Sequence, residues 1–243
     1  MTADPNDSAN YDDGGFDISH NNSGLNFTRL AGEGRRKFCF VKLTEGSTFR
    51  DPNFPANVAG LIGAGIDRIG VYHFAHHGDP VGQMKFFISS FVELTRNIAN
   101  KPDFLFMLDL ERSANPPQES DGLTMVHFLQ SIGINPTIYC GFDFWSSSPP
   151  ELAGCPHMVA AYNNHPTSAI PWRIPSAATY GWDMWQYTGD FLGPWAKDIP
   201  GGSHGMDLSC FNLKKHGQGM EAWWDDQLSH TQQPGPGTAP LVA

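Results

Sequence analysis

The chain has 243 residues, 40% apolar and 12% aromatic, enough for a sizeable core and too hydrophobic for a disordered chain. Its formal charge of −10 and its lack of any extended basic run argue against nucleic acid, whose phosphates are held by Lys and Arg. No apolar stretch approaches the roughly 20 residues of a membrane span, so no membrane contact is expected. Residues 1–13 lack the basic start and apolar middle of a secretory signal, so export by that route is not expected either.

Residues 1–13 are acidic and polar and read as a flexible arm. Residues 14–19 form a short strand carrying Asp17, and residues 38–43 a second, buried strand carrying Lys42. Asp51 and Pro52 suit the start of a helix, with Val58, Leu61 and Ile62 on its apolar face. Residues 69–74 read as a third strand. Met84, Phe87, Ile88, Phe91 and Leu94 then recur at helical spacing over residues 80–97.

Residues 104–111 carry the strongest chemical signal. Five apolar residues, Phe104 to Leu108, run into Asp109 and Glu111. An unbroken apolar run fits a strand buried on both faces. Alternation then puts both carboxylates on one face, with Cα atoms roughly 7 Å apart. Acids are poor strand residues and costly to bury, which favours a pocket over a core. A helix over residues 122–131, a strand over 136–140 and a short turn over 142–148 follow. Three more strands, at 158–162, 183–187 and 205–208, are joined by Pro- and Gly-rich links. Trp223 and Trp224 mark a packing helix or turn within residues 212–230, and residues 231–243 read as a flexible Pro/Gly-rich tail.

Cys39, Cys140, Cys155 and Cys210 form no CxxC pair, so a zinc site is not expected. Cys39 and Cys140 read as buried thiols. Cys155 and Cys210 fall in loop-like sequence, where pairing is open but free thiols are favoured. His73, His76 and His77 lack HExxH spacing, so no metal is expected there either.

Strands alternating with helices imply a parallel α/β sheet, and eight strands in residues 14–230 imply a single TIM-like barrel: five βα units, then three strands with few helices. Active sites of such barrels sit at the C-terminal strand ends. Reading those ends gathers Asp17, Lys42, Tyr72-His73-Phe74, Asp109 with Glu111, Tyr139, Tyr162, Gln186-Tyr187 and Asp207. Paired carboxylates flanked by aromatics fit glycoside cleavage, in which one acid protonates the leaving oxygen and a second group supports the developing cation. No phosphate-cradling GxxxxGK[ST] loop competes with that reading.

Several segments together resemble one family. They are Gly15-Phe16-Asp17-Ile18-Ser19, Phe40-Val41-Lys42 with Glu45-Gly46, Gly70-Val71-Tyr72-His73-Phe74 and Leu108-Asp109-Leu110-Glu111. Ile138-Tyr139-Cys140-Gly141, Ala160-Ala161-Tyr162, Trp185-Gln186-Tyr187-Thr188 and Asp207-Leu208-Ser209 complete the set. In this order they resemble the glycoside hydrolase family 25 lysozymes, the Chalaropsis-type N-acetylmuramidases. The resemblance implies cleavage of the β-1,4 bond between N-acetylmuramic acid and N-acetylglucosamine in bacterial peptidoglycan, with no cofactor. It implies Glu111 as proton donor, with Asp109, Asp17 and Asp207 as the other catalytic acids. Lys42, Tyr72, Phe74, Tyr139, Tyr162, Trp185 and Tyr187 are the expected substrate contacts. The segment 191–204 departs from the family's pattern. With no signal sequence expected, a phage lysin is the implied setting, with a virion or lysis protein as a further partner. The alternative is a wall-binding or virion protein that uses the same barrel without strong catalysis. A chitinase ranks lower, because the strand lacks DGxDxDxE.

Overall fold

In the computed structural model, the described residues are 11–32, 37–141, 144, 149–162, 181–189, 201–202 and 206–235. The chain runs through β1 (Tyr11–Ile18), α1 (Phe27–Gly32), β2 (Phe38–Glu45), β3 (Phe49–Arg50), α2 (Phe54–Gly63), β4 (Arg68–Phe74) and α3 (Pro80–Thr95). It continues through β5 (Phe104–Leu110), α4 (Glu119–Ser131), β6 (Thr137–Gly141), a 3₁₀ turn (Pro150–Leu152), β7 (His157–Ala160), β8 (Met184–Thr188) and β9 (Asp207–Asn212). Two helices, α5 (Leu213–His216) and α6 (Met220–Ser229), follow.

Eight strands close a barrel in the order β1, β2, β4, β5, β6, β7, β8, β9 and back to β1, with β3 added outside β2. The pairings from β1 to β8 are all parallel. β9 is antiparallel to both of its neighbours, so the last strand is reversed rather than parallel like the rest. No helix among the described residues is long and apolar enough to cross a membrane.

Alternation along the strands sorts the core into two layers. On β5, Phe104, Phe106, Leu108 and Leu110 pack outward under the helices, while Leu105 and Met107 pack inside the barrel. Inside, Phe38 and Phe40 take space that two glycines leave. A Cβ at Gly15 would collide with the Phe38 ring, and one at Gly70 with the Phe40 ring. Phe40 is paired with Gly70 across β2 and β4. Gly70→Ala is therefore expected to destabilise the fold by about 1–3 kcal/mol, the usual cost of overpacking, as read from denaturant midpoints. The floor of the barrel is closed by α6. Trp224 lies 5.6 Å from the Phe38 ring and 5.5 Å from the Phe40 ring, and Trp223 lies 5.2 Å from Phe211.

Helix α3 follows its sequence pattern. The Asp79 carboxylate accepts from Gly82 N at 3.0 Å, Pro80 takes the first turn, and Met84, Phe87, Ile88 and Phe91 are buried. Helix α2 opens later than Asp51 and Pro52 suggest. The Asp51 carboxylate is taken by His20 and by the Asn53 amide, so it does not cap the helix, and Pro55 supplies the first-turn proline. The first strand also starts earlier than expected. Tyr11 and Asp12 pair with Asn212 and Phe211 of β9, which fixes the last residues of the expected arm in the sheet. At the other end, Gln233 bonds both backbone groups of Phe104, so the expected tail begins pinned to the barrel. Residues 1–10 and 236–243, the expected turn over 142–148 apart from Phe144, and most of segment 191–204 lie outside the described residues. All four cysteines are buried thiols outside any disulfide, and Cys210 sits within β9 rather than in a loop.

His73 belongs to the outer layer. Its Nε2 faces Gln83 Oε1 at 3.2 Å, and that oxygen also accepts from His76 N at 2.9 Å. Nε2 is therefore the protonated nitrogen, and Nδ1 accepts from the Thr44 hydroxyl at 2.8 Å. Both ring nitrogens are thus spent on hydrogen bonds. His76 and His77 are not merely solvated: they meet Glu45 at 3.2 Å and Asp121 at 2.7 Å. Burial lowers the His73 pKa from 6.5 to about 4. The unfolded chain thus binds a proton here first, so this stability is complete above pH 6.5 and is lost as pH falls toward 4. The expected loss is about 3 kcal/mol, and His73→Gln should flatten the fall of Tm between pH 7 and 4.

Candidate active site

The C-terminal ends of the parallel strands surround a cavity of about 450 Å³. Asp17 reaches it from β1, Lys42 from β2, Tyr72 and Phe74 from β4, Met107 and Asp109 from β5, and Tyr139 from β6. Glu111, one residue past β5, lines it as well, as do Tyr162 and Gln186. Asp207 is the first residue of β9, not a C-terminal strand end. It reaches the same mouth because β9 is reversed, and it sits directly across from Asp17 in the β1–β9 register. Beside it the chain has only Gly189, where a Cβ would collide with the Asp207 carboxylate.

A hydrogen-bonded chain orders one wall. The hydroxyls of Tyr139 and Tyr162 both donate to Gln186 Oε1 at 2.8 Å. That fixes the amide so that its Nε2 donates to Asp17 Oδ2 at 2.7 Å. Gln186 is thus a site residue, gathered among the strand ends but not counted among the expected catalytic residues or substrate contacts. Its signal is parity: in Met184–Thr188, Met184 packs inside the barrel, so Gln186 points inward too. The same parity removes two expected contacts. Trp185 and Tyr187 face outward into the layer under the helices, 1% and 3% exposed, and neither lines the cavity. The Trp185 indole N–H donates to Ala161 O at 2.9 Å, a structural bond.

The electrostatics are one-sided. Among the described residues, four carboxylates line the cavity against one ammonium, that of Lys42, which binds Glu45 at 2.6 Å and sits 4.6 Å from the centre of the Phe74 ring. Asp109 is held in a strained setting. It is buried, its Oδ1 has no hydrogen-bond partner among the described residues, and its proton affinity is raised well above the usual carboxyl range. Loss of hydration is the main cause, followed by the charges of Glu111 and Asp17. Burial and the neighbouring acids likewise hold Tyr72 and Tyr139 in their protonated, donating forms.

A closed α/β barrel with a cluster of carboxylates and tyrosines at one mouth is the layout of a glycoside-cleaving barrel enzyme. The model of Glycosyl hydrolases family 25 matches residues 16–192, and the chain belongs to that family. It is 27% identical over 215 residues to the N,O-diacetylmuramidase of Chalaropsis sp., covering 83% of this chain and 97% of that protein. Lysozyme M1 of Streptomyces globisporus is 33% identical over 101 residues, 41% of this chain and 33% of that protein. In solved structures, the bacterial lysozyme from Streptomyces coelicolor matches with a TM-score of 0.65 at 21% identity, over 89% of this chain and 97% of that one. The family 25 lysozyme from Aspergillus fumigatus matches with a TM-score of 0.60 at 26% identity, over 87% and 96%.

Proposed function

We propose that this glycoside hydrolase is a muramidase that cleaves the β-1,4 bond between N-acetylmuramic acid and N-acetylglucosamine in peptidoglycan, with Glu111 as the general acid. One observation carries the assignment of roles: Asp109 and Glu111 line the cavity from the same strand face, Asp109 buried with its proton affinity raised and Glu111 only partly buried. Two acids on one side of the scissile bond are poorly placed as an acid and an opposing nucleophile. They suit an acid beside a carboxylate that orients the sugar's own 2-acetamido group.

In the free enzyme burial and the neighbouring acids favour the protonated form of Asp109. Substrate changes that balance. The acetamide N–H brought against Asp109 favours its carboxylate, while the leaving sugar dries Glu111 and favours its carboxylic acid. Glu111 then protonates the leaving oxygen as the acetamide oxygen attacks the sugar's anomeric carbon. The Asp109 carboxylate stabilises the charged ring that forms. Water opens that ring, giving its proton back to Glu111, with net retention. Asp17, held by Gln186, and Asp207 add negative potential where the cation develops.

The test is proton NMR of the first product from a defined oligosaccharide, together with reducing ends released from purified cell walls. Retained configuration with new muramic-acid reducing ends supports the proposal. Inversion would move the base role to Asp17 or Asp207, and binding without new reducing ends would reject catalysis.

A further inference from the structure

We propose that Phe49 and His20 form a stacking platform for a sugar ring of the glycan strand beyond the pair at the cleaved bond. The inference rests on the glycan-cleaving reading above. Phe49 is one of two large apolar side chains exposed among the described residues, at 37%. It lies on β3, paired with Glu45 at the mouth end of β2. The His20 ring stands against it, with centroids 5.1 Å apart. The Lys42 ammonium, which lines the cavity, is 5.9 Å from the centre of the Phe49 ring. Asn21, the residue after His20, lines the cavity as well. The platform therefore continues the rim of the acidic groove.

A two-residue strand holds an exposed ring weakly by itself, and here its neighbours are fastened on both sides. Asp51 is 1% exposed, and its Oδ2 accepts from His20 N at 2.8 Å and from His20 Nδ1 at 3.0 Å. Its Oδ1 accepts from Asn53 N at 2.8 Å, and its own amide donates to Leu43 O at 2.9 Å. On the other side, Arg50 pairs with Glu93 at 2.8 Å and donates to Ser90 Oγ at 2.9 Å. Burying a carboxylate is costly, and this one is spent on orienting a half-exposed histidine. With Nδ1 turned to Asp51, Nε2 has no partner among the described residues and is available to a hydroxyl group. A pyranose has one flat C–H face and a rim of hydroxyls, which fits a flat apolar ring beside one polar nitrogen. Asp51 is in this sense a positioning residue.

The experiment compares kcat/KM of the full-length wild type and Phe49→Ala on defined peptidoglycan strands of increasing length. The long-to-short ratio is expected to fall about tenfold in Phe49→Ala, the loss of one aromatic contact. Phe49→Tyr, which keeps the flat face, should restore the ratio, and Phe49→Leu, apolar but not flat, should not. A damaged fold would lower activity on all lengths together and leave the ratio unchanged. An unchanged ratio in Phe49→Ala, or rescue by Leu as complete as by Tyr, would overturn the platform alone. A wild type that cleaves no strand of any length would reject the muramidase reading, and the platform with it.

Discussion

Glu111→Gln should leave the melting temperature close to that of the wild type and lower the rate of wall digestion by at least about 10²-fold. The amide matches the carboxyl in size but has no proton to give to the leaving oxygen. Glu111 is only partly buried and lies just past the last residue of β5, so the substitution disturbs no core packing. The loss should fall on kcat more than on KM, because the interaction exists only in the transition state. A substrate with an aryl leaving group, which needs little protonation, should recover much of the lost rate. A variant that retains more than about a tenth of the wild-type activity would remove Glu111 from the acid's role.

Asp109→Asn has the second large effect, and its two readouts move in opposite directions. Activity is expected to fall by about 10² or more, since an amide cannot stabilise the charge on the acetamide-derived ring. Stability should rise. The buried Asp109 carboxyl binds its proton more tightly in the folded state than in the unfolded one. Its contribution to stability is therefore complete below the ordinary carboxyl range and is lost as pH climbs toward the raised value. Asn has no proton to lose, so the Tm of the variant should exceed that of the wild type at pH 7 and converge with it near pH 3. Equal melting curves at both pH values would mean that Asp109 carries no such strain. The same carboxyl predicts that wild-type activity falls on the alkaline side, as the proton shared with Glu111 is lost.

Much of this site is legible in the sequence because strand alternation is a local rule. It puts Asp109 and Glu111 on one face of residues 104–111, and both line one cavity. Where the rule is applied at every strand, it also sorts Gln186 inward and Trp185 and Tyr187 outward; counting every strand-end aromatic as a contact ignores that parity. Asp207 shows a different limit. The direction of β9 is set by its partners β8 and β1, which no local pattern encodes, and only the reversal explains how the first residue of a strand reaches the mouth. β3 is too short to show a period, so Phe49 carries no strand signal at all. The capping signal at Asp51 misleads for a physical reason: its carboxylate is drawn to His20, 31 positions away in the chain.

The reversed β9 also decides where the chain leaves the barrel. A parallel eighth strand would have ended beside the acids and needed a return path. Running the other way, it delivers the chain to the floor, where α6 closes the core and Gln233 ties onto the start of β5. β1 starts on that same floor, with Tyr11 beside Asn212. Both described ends therefore emerge on the side opposite the groove. A wall-anchoring module, a surface linker or an affinity tag joined at either end would hang below the barrel and leave the mouth open to a strand as long as a cell wall.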